Sequence, residues 1–184
     1  MQAVKRKRRL LLSAVLIVFF SCSFEYGNRE EEENTKPELI MENVEYVRVR
    51  GGDPVVRFRA DLAERYEKRQ IMNLENLSFE QFENDWEDVN IYGSAGKARI
   101  ELESGNIDLS DGVFVSVDSE DITIQTTSLK WQDESKQLSG AASAIVEIMS
   151  SDGTKFSGVG FSADTRRRTW VFESGASGVF VEEE

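Results

Sequence analysis

The chain has no histidine and a single cysteine in 184 residues. Without histidine, Ser-His-Asp and Cys-His nucleophilic catalysis are excluded. One cysteine excludes an intrachain disulfide, and a zinc site would have to be built from carboxylates alone, a rare arrangement. Basic residues are also scarce, 22 against 34 acidic ones, for a net charge of −12. A surface of that sign repels nucleic acid and anionic headgroups, so any lipid would be held mainly by its acyl chains. Long hydrophobic runs are missing too. The apolar run Leu10 to Phe20 falls well short of the roughly 20 residues that cross a bilayer.

That short run reads as the core of an export signal. Lys5-Arg6-Lys7-Arg8-Arg9 precedes it as a basic n-region and Ser21-Cys22 follows it. A small residue before a lone Cys at this place predicts lipoprotein processing over residues 1–21 with Cys22 acylated. Phe19 and Phe20 stand where Leu and a small residue are usual, so an uncleaved signal anchor or a buried Cys are the alternatives. Cleavage would remove five basic residues and no acidic one, taking the net charge from −12 to −17. Residues 22–41 then read as a solvated spacer, because Glu30-Glu31-Glu32-Glu33 repel one another.

Residues 42–184 are predicted to form one all-β domain. Val44 to Arg50 alternates with one change of phase, which permits a bulge, and Gly51-Gly52-Asp53-Pro54 reads as a turn before Val55 to Arg59. Further strands are expected at Ala98 to Glu103, Gly112 to Val117, Asp121 to Thr126, Ala144 to Met149, Thr154 to Gly160, Thr169 to Glu173 and Gly178 to Val181. Turn signals at Ser104-Gly105-Asn106, Ser110-Asp111-Gly112, Asp118-Ser119, Ser151-Asp152-Gly153 and Ser174-Gly175 separate them. Short strands with frequent turns indicate a sandwich, barrel or jelly roll. Ala60 to Gln70 and Leu77 to Trp86 fit either helix or strand: Ala60, Ala63 and Tyr66 stand at helical spacing. Strands are preferred there because of a repeat.

The repeat is a degenerate strand pair. Phe58, Ile91, Ile124 and Phe156 open successive units at spacings of 33, 33 and 32 residues. A small residue follows two places on (Ala60, Gly93, Thr126, Gly158), then Ala63, Gly96, Leu129 or Phe161, with a second strand opening on Leu74, Leu109, Leu138 or Phe172. Such a unit cannot bury its apolar face alone; stacked units make one continuous apolar surface.

At these residues the chain resembles the LptC family of lipopolysaccharide export, within the OstA-like group. The matching pieces are Gly93-Ser-Ala-Gly-Lys-Ala98, Asn106-Ile-Asp-Leu-Ser-Asp-Gly-Val113, Ile124-Gln-Thr-Thr-Ser-Leu-Lys-Trp131, Leu138-Ser-Gly140 and Gly158-Val-Gly-Phe-Ser-Ala-Asp164. Val55-Val-Arg-Phe-Arg-Ala60 with Tyr66 fits the first repeat. The resemblance implies a twisted open antiparallel β-jelly roll enclosing an apolar groove. It implies a periplasmic, membrane-anchored component that passes lipopolysaccharide or a related glycolipid from inner-membrane ABC transporter subunits to a related periplasmic β-jelly-roll protein. Family members commonly carry an N-terminal transmembrane helix, where this chain has a short apolar run and Cys22.

The groove expectation falls on Ile100, Leu102, Val113, Val115, Val117, Ile122, Ile124, Leu129, Trp131, Phe161, Trp170 and Phe172. Alternation puts Ile100 and Leu102 opposite Arg99, Glu101 and Glu103, and groups Val113, Val115 and Val117 on one face. The same faces would be plain core in a sealed sandwich, which leaves a structural or scaffold lipoprotein as the alternative. No catalytic, cofactor or metal site is expected. Asp108, Asp111, Asp118, Glu120 and Asp121 could pair for glycoside hydrolysis, but they fall at turn positions where Asp bonds its own backbone. Arg166-Arg167-Arg168 reads as a hairpin tip exposed to water. The last strand, carrying Val179, Phe180 and Val181, is expected to be an open edge for strand addition by the jelly-roll partner.

Overall fold

The structure is a computed structural model and describes residues 36–181. Among the described residues, ten antiparallel strands form one sheet: β1 (Leu39–Arg50), β2 (Asp53–Tyr66), β3 (Ile71–Phe82), β4 (Val89–Glu101), β5 (Ile107–Val117), β6 (Ile122–Gln132), β7 (Gln137–Gly140), β8 (Val146–Ser150), β9 (Lys155–Asp164) and β10 (Thr169–Val179). The fold is all-β and jelly-roll-like, and a 3-10 turn at Asp118–Glu120 joins β5 to β6. Each strand pairs with its chain neighbours as a meander, except that β7 and β8 share one place between β6 and β9. The expected lipoprotein signal and Cys22 lie outside the described residues, as do the last three glutamates.

Of the stretches that fitted helix or strand, Ala60 to Tyr66 is strand in β2 and Leu77 to Phe82 is strand in β3, while residues 67–70 form a turn and residues 83–86 leave the sheet as a loop. Their helical spacing has a structural cause. Asn43, Asn76 and Asp111 hold left-handed backbone (φ 50°, 51° and 63°) in the middle of β1, β3 and β5. Asn43 faces Asp61, and Asn76 sits between Asp61 and Gly96, as the flanking pairs Val44↔Ala60, Leu62↔Glu75 and Leu77↔Ala95 show. At the same level β5 carries an extra residue at Asp111–Gly112, β7 breaks from β8, and Gly160 in β9 and Gly175 in β10 also have positive φ. A residue in this conformation interrupts side-chain alternation. Buried residues recur three apart across the line: Leu74 and Leu77 about the left-handed Asn76, and Ala60 and Ala63 in β2 and Ala95 and Ala98 in β4, which flank it without a positive φ of their own. The line crosses every strand and creases the sheet.

The sheet folds along this crease. Phe156 pairs with Gly178 and Ala163 pairs with Trp170, so in an extended hairpin Phe156 and Trp170 would stand roughly 23 Å apart. Their ring centroids are 5.2 Å apart. The apolar faces of the two halves thus meet, and Ala63, Leu74, Leu129, Val146 and Phe161 are 2% exposed or less with no second layer over them among the described residues. Gly93 matters to this packing: a Cβ there would lie 2.6 Å from the Phe79 ring.

Two turn expectations are corrected. Ser110-Asp111-Gly112 and Ser174-Gly175 are bulges inside β5 and β10, not chain reversals. Glycine or aspartate that accepts positive φ serves a crease as well as a turn, so the local signal is the same. Gly178 to Val181 accordingly continues β10 to Val179 instead of opening a new strand. Asp53 and Pro54 already belong to β2, and the register shift in β1 lies at Arg48–Val49, two residues past the phase change at Tyr46–Val47, where pairing is continuous.

Candidate functional site

The repeat anchors explain how the apolar face is assembled. Phe58, Phe79, Gly93, Val115, Ile124, Ile148 and Phe156 form one row across neighbouring strands. Three of the four unit openings thus share a row, while Ile91 stands one row out, with Val117 and Ile122. On the other side of the crease, Ala63, Leu74, Ala98, Leu109, Leu129 and Gly140 form a second row.

Beyond that second row lies a third: Met72, Ile100, Ile107, Trp131, Leu138, Ala163 and Trp170, each paired with the next from β3 to β10. Every place in it is apolar, and every residue keeps some solvent exposure, up to 40% at Trp170. In hydrophobic terms this is the unsealed margin of the apolar face. Sequence reading picked out Ile100, Trp131 and Trp170 from this row as groove residues, placed Ala163 with Trp131 only as a repeat position, and missed Met72 and Ile107. Leu138 was noticed only as a strand opening. The signal that finds them is the cross-strand register, which one-dimensional alternation does not contain.

The predicted groove residues divide accordingly. Val113, Val115, Ile124, Leu129 and Phe161 are buried in one cluster with Val146 and Ile148. Val117, Ile122 and Phe172 pack against that cluster half-buried. Ile100, Leu102 and Trp131 are half-buried, and Trp170 is exposed. At the β10 end, Phe172 contacts both Phe161 and Trp170 at 5.6 Å, and Phe156 contacts Phe180 at 5.3 Å. These rings fill the space between the two halves where only β9 and β10 flank it.

The opposite face is a lattice of charges. Arg57 pairs with Glu80, Arg59 with Glu45, Lys97 with Asp111 and Lys130 with Asp108. The Asp111 carboxylate raises Lys97, first through its hydrogen bond, and Glu45 raises Arg59 in the same way. Clefts of about 330 and 350 Å³ lie among these side chains, beside Glu64, Lys97 and Asp108, and beside Arg57, Tyr92 and Asp118. Neither is lined by a predicted groove residue.

The carboxylates considered for hydrolysis are separated by the fold: Asp108 and Asp111 sit in β5 with their lysines, while Glu120 meets Arg168. The turn beside the third row is better built. Asp133 accepts from Lys136 at 2.6 Å and from Trp131 Nε1 at 3.3 Å. The Lys136 bond, more than any other influence, holds the Asp133 carboxyl below its usual range. The preceding turn is tied by Glu101, whose carboxyl is lowered by bonds from Ser104 and Asn106. No helix among the described residues is long and apolar enough to cross a membrane.

Among the described residues, β10 pairs with no further strand at its far edge, and Val171, Val179, Phe180 and Val181 are exposed. β1 is the other edge left unpaired by the described residues. A family model described as lipopolysaccharide-assembly, LptC-related, matches residues 10–181. No curated protein matches the chain.

Proposed function

We propose, on the premise that this chain belongs to the LptC-related family of lipopolysaccharide assembly, that its folded sheet carries the acyl chains of a glycolipid between its two halves. Membership suggests a part in lipopolysaccharide transport and a periplasmic, membrane-associated place. The finer reading is a handover. The lipid comes from inner-membrane ABC transporter subunits, its acyl chains lie along the apolar face, and it leaves to a related β-jelly-roll protein docked on the β10 edge. Anchoring is through acylated Cys22.

The observation that carries this reading is the third row. Seven paired positions from Met72 to Trp170 are apolar and incompletely covered. A sealed sandwich covers such a row, because leaving apolar area in water forfeits about 25 cal/mol per Å². The negative surface suits acyl-chain recognition better than headgroup recognition. The close packing of Val113, Val115 and Phe161 favours the rival reading, a scaffold with a closed core.

Photocrosslinking in living cells separates them. A photoreactive residue at Ile100, Trp131 or Trp170 is expected to capture lipopolysaccharide, and one at Lys97, on the charged face, is not. Capture of protein alone at the three row positions would favour the scaffold. For the anchor, Cys22→Ser is expected to remove an acyl mass increment and release the domain or stall its processing; unchanged attachment with no such increment in the wild type would remove the lipoprotein claim.

A further inference from the structure

The meander places its turns alternately at two ends of the sheet. Gly51-Gly52, residues 83–88, Asp118–Glu120 and residues 151–153 are at one end; residues 67–70, 102–106, 133–136 and 165–168 are at the other. Glu120 belongs to the first end and Arg168 to the second. In a flat sheet they would be separated by a strand's length, roughly 30 Å. Arg168 Nη1 lies 3.4 Å from Glu120 Oε1. The contact therefore exists only because the sheet is folded, and it bridges the free margins of the two halves.

A second charge relation spans the same gap. Arg48, near the first end in β1, helps to hold the Asp133 carboxyl low, after the stronger effect of Lys136. Both relations involve the strand pair around β6, whose two flanking turns carry Glu120 and Asp133. The crease, with its left-handed residues, lies midway between the joined margins.

We propose that the Arg168–Glu120 ion pair is a clasp that holds the halves of the folded sheet together over the apolar interior, and that an acyl chain enters when the clasp parts. This rests on the lipid-carrying reading above. The interior needs such an opening, since Leu129, Val146 and Phe161 are packed to 2% exposure or less. The pair is suited to reversible use. Its side chains keep 76% and 40% of their exposure, so water and salt compete with it and it is weak. Arg168 is the last residue of the basic tip; Arg166 is occupied by the Glu134 carbonyl and Arg167 by Asp164. That leaves Arg168 as the member of the tip that reaches the opposite margin.

The test uses the full-length protein with Trp86→Phe, so that Trp131 and Trp170 report on the margin. Arg168→Glu and Glu120→Arg are each expected to raise acrylamide quenching of these tryptophans in lipid-free protein. Each is also expected to speed uptake of a fluorescent-acyl phospholipid from zwitterionic vesicles by about two- to fivefold, the span an exposed ion pair supports. The double exchange should restore both, and high salt should move the wild type toward the single variants. Quenching unchanged in both single variants, or a double exchange that restores nothing, overturns the clasp. Quenching that follows the clasp in proteins that never take up the probe overturns lipid entry and the lipid-carrying reading together, and leaves the tie between halves standing. All the substitutions in the clasp are at exposed sites, so loss of folding does not obscure the result.

Discussion

The middle of the sheet and its last strand are both rich in apolar residues and have opposite fates. Val113, Val115, Ile124, Val146 and Ile148 are at most 7% exposed. In β10, Trp170, Val171 and Val179 are 40% to 62% exposed, and only Phe172 is half-covered. The difference is positional. A residue in β5 or β6 has strands on both sides and the opposite half of the sheet above it. A residue in β10 has β9 on one side and, among the described residues, no strand on the other. Where one sheet must supply both walls of its own core, stability concentrates in the middle, and the margins keep unspent apolar surface and backbone groups for other molecules.

The contrast breaks most clearly under a buried charge. Ile124→Asp is expected to destabilise the domain by about 3–5 kcal/mol in urea unfolding, because the carboxylate has no partner in the cluster. Trp170→Asp should cost less, about 2 kcal/mol, since 40% of that residue is already in water. Similar losses at the two sites would mean that the hairpin is as closed as the middle.

The crease supplies a sharper, smaller effect. Asn76 holds φ 51° inside β3, a conformation that β-branched residues resist. Asn76→Val is expected to cost about 1–2 kcal/mol, and Asn76→Gly close to nothing. Equal destabilisation by both would tie the effect to the Asn76–Asp61 hydrogen bond of 2.8 Å and not to the backbone.

Acid gives a weaker handle on the margin. The Asp133 carboxyl is lowered in the folded state, so its contribution is complete above the unfolded value near 4 and is lost as pH falls through the lowered folded value. Its side chain is 47% exposed, which keeps the contribution small. Asp133→Asn should therefore lower the melting temperature slightly at neutral pH, with the two proteins converging in acid once the pH has fallen below the lowered folded value. A difference that persists undiminished in acid would assign the loss to packing instead.

The smallest effect on stability is expected at the free edge. Val179→Pro should leave the melting temperature almost unchanged, because proline is tolerated on edge strands. It should still weaken capture of a jelly-roll partner in a pull-down by removing a backbone donor. Full capture by a normally folded variant would move the partner away from β10, with the free edge of β1 as the next surface to test.

Much of this arrangement can be read from the residues. Alternation in Val113 to Val117 and the turn signals at Gly51-Gly52 and Ser151-Asp152-Gly153 correspond to real strands and reversals. The 33-residue spacing corresponds to hairpins that begin on β2, β4, β6 and β9. The candidate surface was half legible. Trp131 and Trp170 look apolar in any strand, but Met72 and Ile107 join them only through Met72↔Ile100 and Ile107↔Trp131. Those pairings depend on a register that a single strand does not encode.

By itself, then, the sequence determined the strand-forming segments, the repeating hairpin and the apolar face, because alternation and turn chemistry act within a few neighbouring residues. The repeat already favoured strand over helix at Ala60 and Ala63, and the tertiary structure alone decided that their i, i+3 spacing marks a crease. It alone made bulges of Ser110-Asp111-Gly112 and Ser174-Gly175, and brought Arg168 to Glu120. Each of these depends on where distant strands lie after the sheet has folded on itself, and no local pattern carries that distance.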